Sequence, residues 1–172
     1  MGQSLVKNYL HIIFSTKHRQ ALIHPPFNVE LHAYLGGICN ALESQVIISG
    51  GYTDHVHILC LLSKKIALTK LIENLKSNSS KWMKTKDVSL KNFYWQDGYG
   101  AFSVNPYEVD HVIAYIKNQY EHHEKITFQD EYRLFLTNIK LNMMNVTFGT
   151  NYFALSGLKN LTLLISKGCT LC

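Results

Sequence analysis

Asp54-His55-Val56-His57 opens an apolar, strand-like run, and strand alternation puts both histidines on one face with Val56 on the other. Two imidazoles about 7 Å apart along a rigid strand can converge on one divalent ion, since neutral imidazole is a good transition-metal ligand. The same pattern also fits two half-exposed strand histidines that hold nothing. A second group lies in Ala114-Tyr115-Ile116-Lys117-Asn118-Gln119-Tyr120, where Tyr115 and Gln119 are four apart and share a helix face. Gln119 offers a carbonyl oxygen suited to a hard cation as a third ligand. Tyr115 offers a phenol, a known type of covalent nucleophile, although helical tyrosines are commonly packing residues. Tyr120 is the competing phenol one position round, and His122 and His123 read as helix-end cations.

The elements that must position these groups follow from periodicity. Leu5 to Ser15 reads as a strand, with Val6, Tyr9, His11, Ile13 and Ser15 set against Leu10, Ile12 and Phe14. Phe27 to Gln45 has helical spacing. Val46 to Thr53 and His55 to Leu62 form a strand pair across Gly50-Gly51, and Ile66 to Met83 is a helix. Asn92 to Val104 holds aromatics around Gly98 and Gly100, as a short strand or irregular hairpin. Pro106 to Glu124 is expected as one helix and Phe128 to Leu136 as a shorter one. The order β-α-β-β-α-β followed by helices predicts an α+β fold, a ferredoxin-like split βαβ sheet with helices on one face.

Composition narrows the class. With 172 residues, 47% hydrophobic and 17% charged, the chain has the balance of a globular protein with one adequate core. No apolar run is long enough to cross a bilayer, and Met1 to Lys7 does not read as a signal peptide, so no membrane partner is expected. Four cysteines (Cys39, Cys60, Cys169, Cys172) are too few for a disulfide scaffold, and a reducing cytoplasm is the default. The net charge of +5 permits a polyanionic partner without establishing one.

The string His55-Val56-His57 followed by Tyr115-x-x-x-Gln119 resembles the single-tyrosine HUH transposases of the IS200/IS605 group. So do Tyr94-Trp95-Gln96-Asp97-Gly98-Tyr99-Gly100-Ala101-Phe102-Ser103-Val104 and Asn118-Gln119-Tyr120-Glu121-His122-His123, and the likeness runs from about Val6 to Leu136. The resemblance implies an HUH domain over residues 1–136 that acts as a homodimer on single-stranded DNA with hairpin element ends, in a prokaryotic cytoplasm. It makes His55, His57 and Gln119 ligands of Mg²⁺ or Mn²⁺ and Tyr115 the nucleophile, carried on a C-terminal catalytic helix. Tyr115 would attack a phosphodiester in line, giving a 5′-phosphotyrosyl enzyme and a free 3′-hydroxyl that later reverses the step. Bond energy is conserved, so no nucleotide cofactor is needed. An unperturbed tyrosine pKa is about 10, so a cation or base must favour the phenolate, and no carboxylate stands out in the sequence as that base. Lys17, His18 and Arg19 are the best candidates for phosphate contacts; Trp95, Tyr94 and Phe102 offer rings that could stack bases, although aromatics in a strand are more often core. Lys76, Lys81, Lys84 and Lys86 form a second basic group that equally fits a solvated helix face.

Residues 137–172 depart from this pattern. They hold three lysines (Lys140, Lys159, Lys167) and no acidic residue or histidine. Family members instead end near a tail close to YDERYxWD. With codons chosen to allow it, Asn138 to Thr150 can be read two bases in as YKIEYDERYFWD, followed by a stop. A single-base deletion near codons 137–138 would therefore account for the tail, and for Cys169-Thr170-Leu171-Cys172 without a zinc site. The alternative to an active transposase is a hairpin-DNA-binding relative that lost transposition through this tail. A ferredoxin-like RNA-binding module gives no reason for Tyr115 and Gln119 to accompany two strand histidines.

Overall fold

The computed structural model describes residues 5–123 and 127–138; the atypical tail from residue 139 on, including Cys169 and Cys172, lies outside the described residues. Strand β1 (Tyr9–Ser15) leads through a short turn to helix α1 (Phe27–Ala41), strands β2 (Gln45–Gly51) and β3 (His55–Leu61), and helix α2 (Leu68–Met83). Strand β4 (Gly100–Val104) follows, then helices α3 (Val109–Lys117), α4 (Gln119–His123) and α5 (Phe128–Asn138). The strands order β2-β3-β1-β4, with every pairing antiparallel. This is the expected α+β split βαβ sheet, but its helices are divided between the two faces. The predicted first strand starts later, at Tyr9, and of the 92–104 segment only Gly100–Val104 joins the sheet.

Alternation assigns the two faces. Leu10, Ile12 and Phe14 of β1 and Val56, Ile58 and Cys60 of β3 point into the main core, where they meet Leu31, Leu35 and Cys39 of α1 and Leu71, Ile72 and Leu75 of α2. The intervening residues His11, Ile13, His55 and His57 point the other way and are equally buried. Their cover is supplied by α3 to α5. A smaller cluster of Ile13, Phe128 and Tyr132, with Phe102 against it, fastens α5 to that face.

Two glycines let this second layer descend onto the sheet. A Cβ on Gly50 would lie 2.7 Å from Ile116 Cγ2 and 3.0 Å from the Ile116 carbonyl, so α3 rests directly on the β2 backbone. A Cβ on Gly100 would lie 3.1 Å from the Tyr132 ring of α5. At Gly50 even a methyl group would force helix and sheet apart, whereas at Gly100 the Phe102 and Tyr132 rings would have to give by a few tenths of an ångström.

The helix expected over Pro106 to Glu124 is three pieces. A 3₁₀ turn at Pro106–Glu108 is capped by the Asn105 side chain, α3 ends at Lys117, and α4 restarts at Gln119. Asn118 leaves helical geometry (φ −94°, ψ 15°), so residues beyond it no longer fall where a continuous helical wheel would put them.

Candidate metal and nucleophile site

The register of β1 on β3 pairs Ile13 with His57 and Ser15 with His55, which brings His11 diagonally beside His57. His55 and His57 are both wholly buried, not half-exposed. Each has a partner at Nδ1. The His55 Nδ1 lies 2.7 Å from Asp54 Oδ1, and a carboxylate can only accept there, so this nitrogen carries the proton and a neutral His55 turns a bare Nε2 inward. The His57 Nδ1 lies 2.9 Å from His11 Nε2, and donation by His57 leaves its Nε2 equally bare. Burial holds His57 well below its usual pKa and His11 at about 3, with neighbouring imidazoles adding to the shift on His57. These two are therefore neutral ligand-type imidazoles at physiological pH.

Helices α3 to α5 bring the remaining groups to the same point. Gln119 Oε1 lies 3.3 Å from His55 Nε2, an acceptor facing a bare nitrogen. The Tyr115 hydroxyl donates to Glu131 Oε1, and Gln119 Nε2 donates to the same oxygen at 3.1 Å. The Tyr115 ring stands edge-on to His57 at 5.6 Å and to His11 at 6.1 Å. Glu131 Oε2 faces the imidazoles, 3.8 Å from His57 Nε2 and 3.9 Å from His55 Nε2. Phe128 stacks on the His55 ring at 4.4 Å and closes the site from the α5 side.

Two of these atoms, His57 Nε2 and Glu131 Oε2, are buried without a hydrogen-bond partner. Lone pairs facing lone pairs in a dry site are costly unless a cation lies between them. Burial pushes the Glu131 carboxyl up to about 8, with Asp54 adding to the shift, which marks the same shortage of positive charge. His55, His57 and Glu131 place one ligand atom each within 4.8 Å of one another. The donor set of imidazole nitrogens with amide and carboxylate oxygens fits a divalent cation.

Tyr115 and Gln119 do come together with the imidazole pair, although the helix carrying them breaks between the two. Tyr120 does not: it is exposed, accepts from Asn28 Nδ2 at 3.2 Å and leans on Tyr52. His122 and His123 correct the expectation of helix-end cations. His123 Nε2 lies 3.1 Å from His55 Nε2 and 3.4 Å from Glu131 Oε2, and His122 Nε2 lies 3.4 Å from Glu131 Oε1. The break at Asn118 rotates them inward. Glu131 escaped the sequence reading because nothing local distinguishes it from Asp130. Thr127, whose hydroxyl accepts from Asp130 N and donates to Asp130 Oδ2, marks the start of α5 but not what that helix delivers.

Of the expected nucleic-acid contacts, Lys17 and His18 are exposed and Arg19 is half-buried, in a turn hung between Asp54 and Tyr94. Thr16 N donates to Asp54 O at 2.8 Å and Lys17 N to Tyr94 O at 2.7 Å. His18 and Arg19 are both left-handed (φ 56° and 53°), a conformation that costs non-glycine residues of order 1–3 kcal/mol each. Trp95 is corrected: its ring is buried edge-on to Phe14 and Phe93, and its Nε1 donates to Ser79 at 2.9 Å, so it is a core residue and no stacking platform. Phe102 packs near Tyr132. The exposed aromatic is Tyr94, with Lys84 Nζ 3.5 Å and Lys17 Nζ 5.8 Å from its ring centre. Lys76 instead holds the carbonyls of Gln96 and Gly98, and Lys86 pairs with Glu30.

A four-stranded antiparallel sheet offering paired histidines to a tyrosine on a covering helix defines a recognisable class. The sequence model of the family described as Transposase IS200 like matches residues 4–119, and the chain belongs to that family. Among solved structures it is similar to a protein of Deinococcus radiodurans R1 assigned as a transposase, at 21% identity and a TM-score of 0.54, over 69% of this chain and 96% of that one. It is also similar to a REP-associated tyrosine transposase bound to a REP hairpin, at 13% identity and a TM-score of 0.54, over 90% of this chain and 98% of that one. No curated protein matches the sequence. Among the described residues no helix is long and apolar enough to cross a membrane.

Proposed function

We propose that this transposase-family chain cleaves and rejoins single-stranded DNA at hairpin-bearing element ends, with Tyr115 as the nucleophile. The observation that carries the reading is the convergence, within one chain, of a phenol and two strand imidazoles on the same buried carboxylate. His55, His57 and Gln119 would hold Mg²⁺ or Mn²⁺, with Asp54 and His11 fixing the imidazoles from behind. When bound, that cation supplies charge neutralisation at a non-bridging phosphate oxygen and polarises phosphorus. The Tyr115 oxygen forms a bond to phosphorus as the bond from phosphorus to O3′ breaks. The phenol proton leaves toward the Glu131 oxygen it already contacts, and the 3′ oxygen departs to become a hydroxyl. Attack by a 3′-hydroxyl on the phosphotyrosine restores the phenol and joins the strand.

DNA reaches this centre past the turn at Lys17, His18 and Arg19, which is tied to Asp54 beside His55. Lys17 and Lys84 around Tyr94 offer phosphate charge and a ring for an unpaired base. The hairpin bound by the REP-associated relative supports hairpin DNA as the partner. All the groups named come from one chain, so a homodimer would not be needed to complete the site.

Incubation of the full chain with hairpin-bearing single-stranded oligonucleotides and Mn²⁺ is expected to give a protein–DNA adduct that survives denaturing electrophoresis. Tyr115→Phe should abolish the adduct while hairpin binding changes by less than about threefold. An adduct that persists in this variant would move the nucleophile elsewhere. Hairpin binding with no adduct from the unaltered chain would favour a relative that binds DNA without cutting it.

A further inference from the structure

Beyond the ligand set just given, the carboxylate of α5 has two differently occupied oxygens. Glu131 Oε1 takes hydrogen bonds from the Tyr115 hydroxyl and the Gln119 amide. Glu131 Oε2 takes none, is buried, and faces His57 Nε2, another orphaned atom of the site, at 3.8 Å. Donors held about 2.1 Å from one small divalent ion lie about 3.0–3.4 Å apart at tetrahedral or octahedral angles. The separations from His55 Nε2 to Gln119 Oε1 (3.3 Å) and to Glu131 Oε2 (3.9 Å) are at or slightly beyond that span.

We propose that Glu131 is itself a metal ligand through Oε2 while its Oε1 holds the Tyr115 hydroxyl, so that one carboxylate bridges the cation and the nucleophile. The donor set is then His55 Nε2, His57 Nε2, Gln119 Oε1 and Glu131 Oε2. An anionic donor supplies the charge that two imidazoles and an amide lack, and it binds a divalent ion more tightly than neutral oxygen alone. The bridge also couples the two parts: the side chain that accepts from the Tyr115 hydroxyl through one oxygen would hold the cation through the other. Proper seating of α5, through Phe128 on His55 and Tyr132 over Gly100, is therefore part of metal binding.

This inference rests on the metal site of the strand-transfer reading, and the test separates the two. Mn²⁺ alone is titrated into the full chain without DNA, by calorimetry and by the loss of the free-ion electron paramagnetic signal. The unaltered chain should take up one Mn²⁺. Glu131→Gln, which keeps an acceptor for Tyr115 and removes the charge, should weaken uptake tenfold or more. Glu131→Asp, which keeps the charge on a shorter arm, should fall between them and serves if the glutamine variant does not fold. Tyr115→Phe should bind within threefold of the unaltered chain. Mn²⁺ bound normally by folded Glu131→Gln but lost by His57→Ala would overturn the bridge and leave the imidazole site standing. Loss in Tyr115→Phe as severe as in Glu131→Gln would overturn the division between the two oxygens. Unchanged uptake in both His57→Ala and Glu131→Gln would remove the metal site itself, and this proposal with it.

Discussion

The two faces of the central sheet share one backbone and have opposite chemistry. Toward α1 and α2, Ile12, Phe14, Val56 and Ile58 bury only carbon, and each contributes stability in proportion to the area removed from water. Toward α3 to α5, His11, His55 and His57 are buried to the same degree; Asp54 and the His11–His57 contact engage their other ring nitrogens, while His57 Nε2 is left without a partner. Burial on the first face is a source of stability. On the second it is a cost, accepted because neutral imidazoles aimed at one point can serve as ligands. Successive residues of β3 thus belong to different tasks, and the two should be separable by mutation.

The sharpest break pairs adjacent positions. His57→Ala should lower DNA nicking by 10²-fold or more, with partial recovery in excess Mn²⁺. Ile58→Ala should cost about 2–5 kcal/mol in urea denaturation while Mn²⁺ affinity of the folded protein stays unchanged. If Ile58→Ala also lost the metal, the faces would be energetically coupled.

A medium effect is expected from acid on the metal-free protein. Burial lowers the folded pKa of His11 to about 3 and of His32 to about 4, and holds His57 well below 6.5. The unfolded chain therefore binds more protons below pH 6.5, and stability falls as pH drops from 6.5 toward 4. Glu131, raised to about 8, acts oppositely: its contribution is complete at low pH and is lost as pH rises from the ordinary carboxyl value to about 8. Three histidines outweigh one carboxyl in the acid window, so urea midpoints measured across pH should peak near 6.5. Mn²⁺ should flatten the alkaline side. The smallest effect lies outside both faces: Tyr94→Ala should weaken single-stranded DNA binding by roughly 5- to 100-fold, read by fluorescence anisotropy, with nicking chemistry at saturating DNA unaltered.

Much of this contrast could be read in the residue string. Period-two alternation separated His55 and His57 from Val56, and the element order predicted the sheet, because both depend on local spacing. Tyr115 and Gln119 were within reach because one turn of helix keeps them together even when the helix ends at Lys117. His122 and His123 were misjudged since a wheel drawn through Asn118 assumes a helix that is not continuous there. The burial of Trp95 is not legible locally, because two of the groups that cover it, Phe14 and Ser79, are distant in sequence. Glu131 gave no signal: its role arises only when α5 folds back over the sheet, a long-range event invisible to local pattern.

That fold-back has a consequence for where this protein can be cut. Every strand, and all the residues matched to the family, precede α5, so a chain shortened to residue 123 would keep the sheet and its likeness to relatives. It would also uncover the His55 ring beneath Phe128 and remove the carboxylate that accepts from the Tyr115 hydroxyl. Such a fragment would pass inspection as a transposase while missing the helix that brings Glu131 and Phe128 to its histidines.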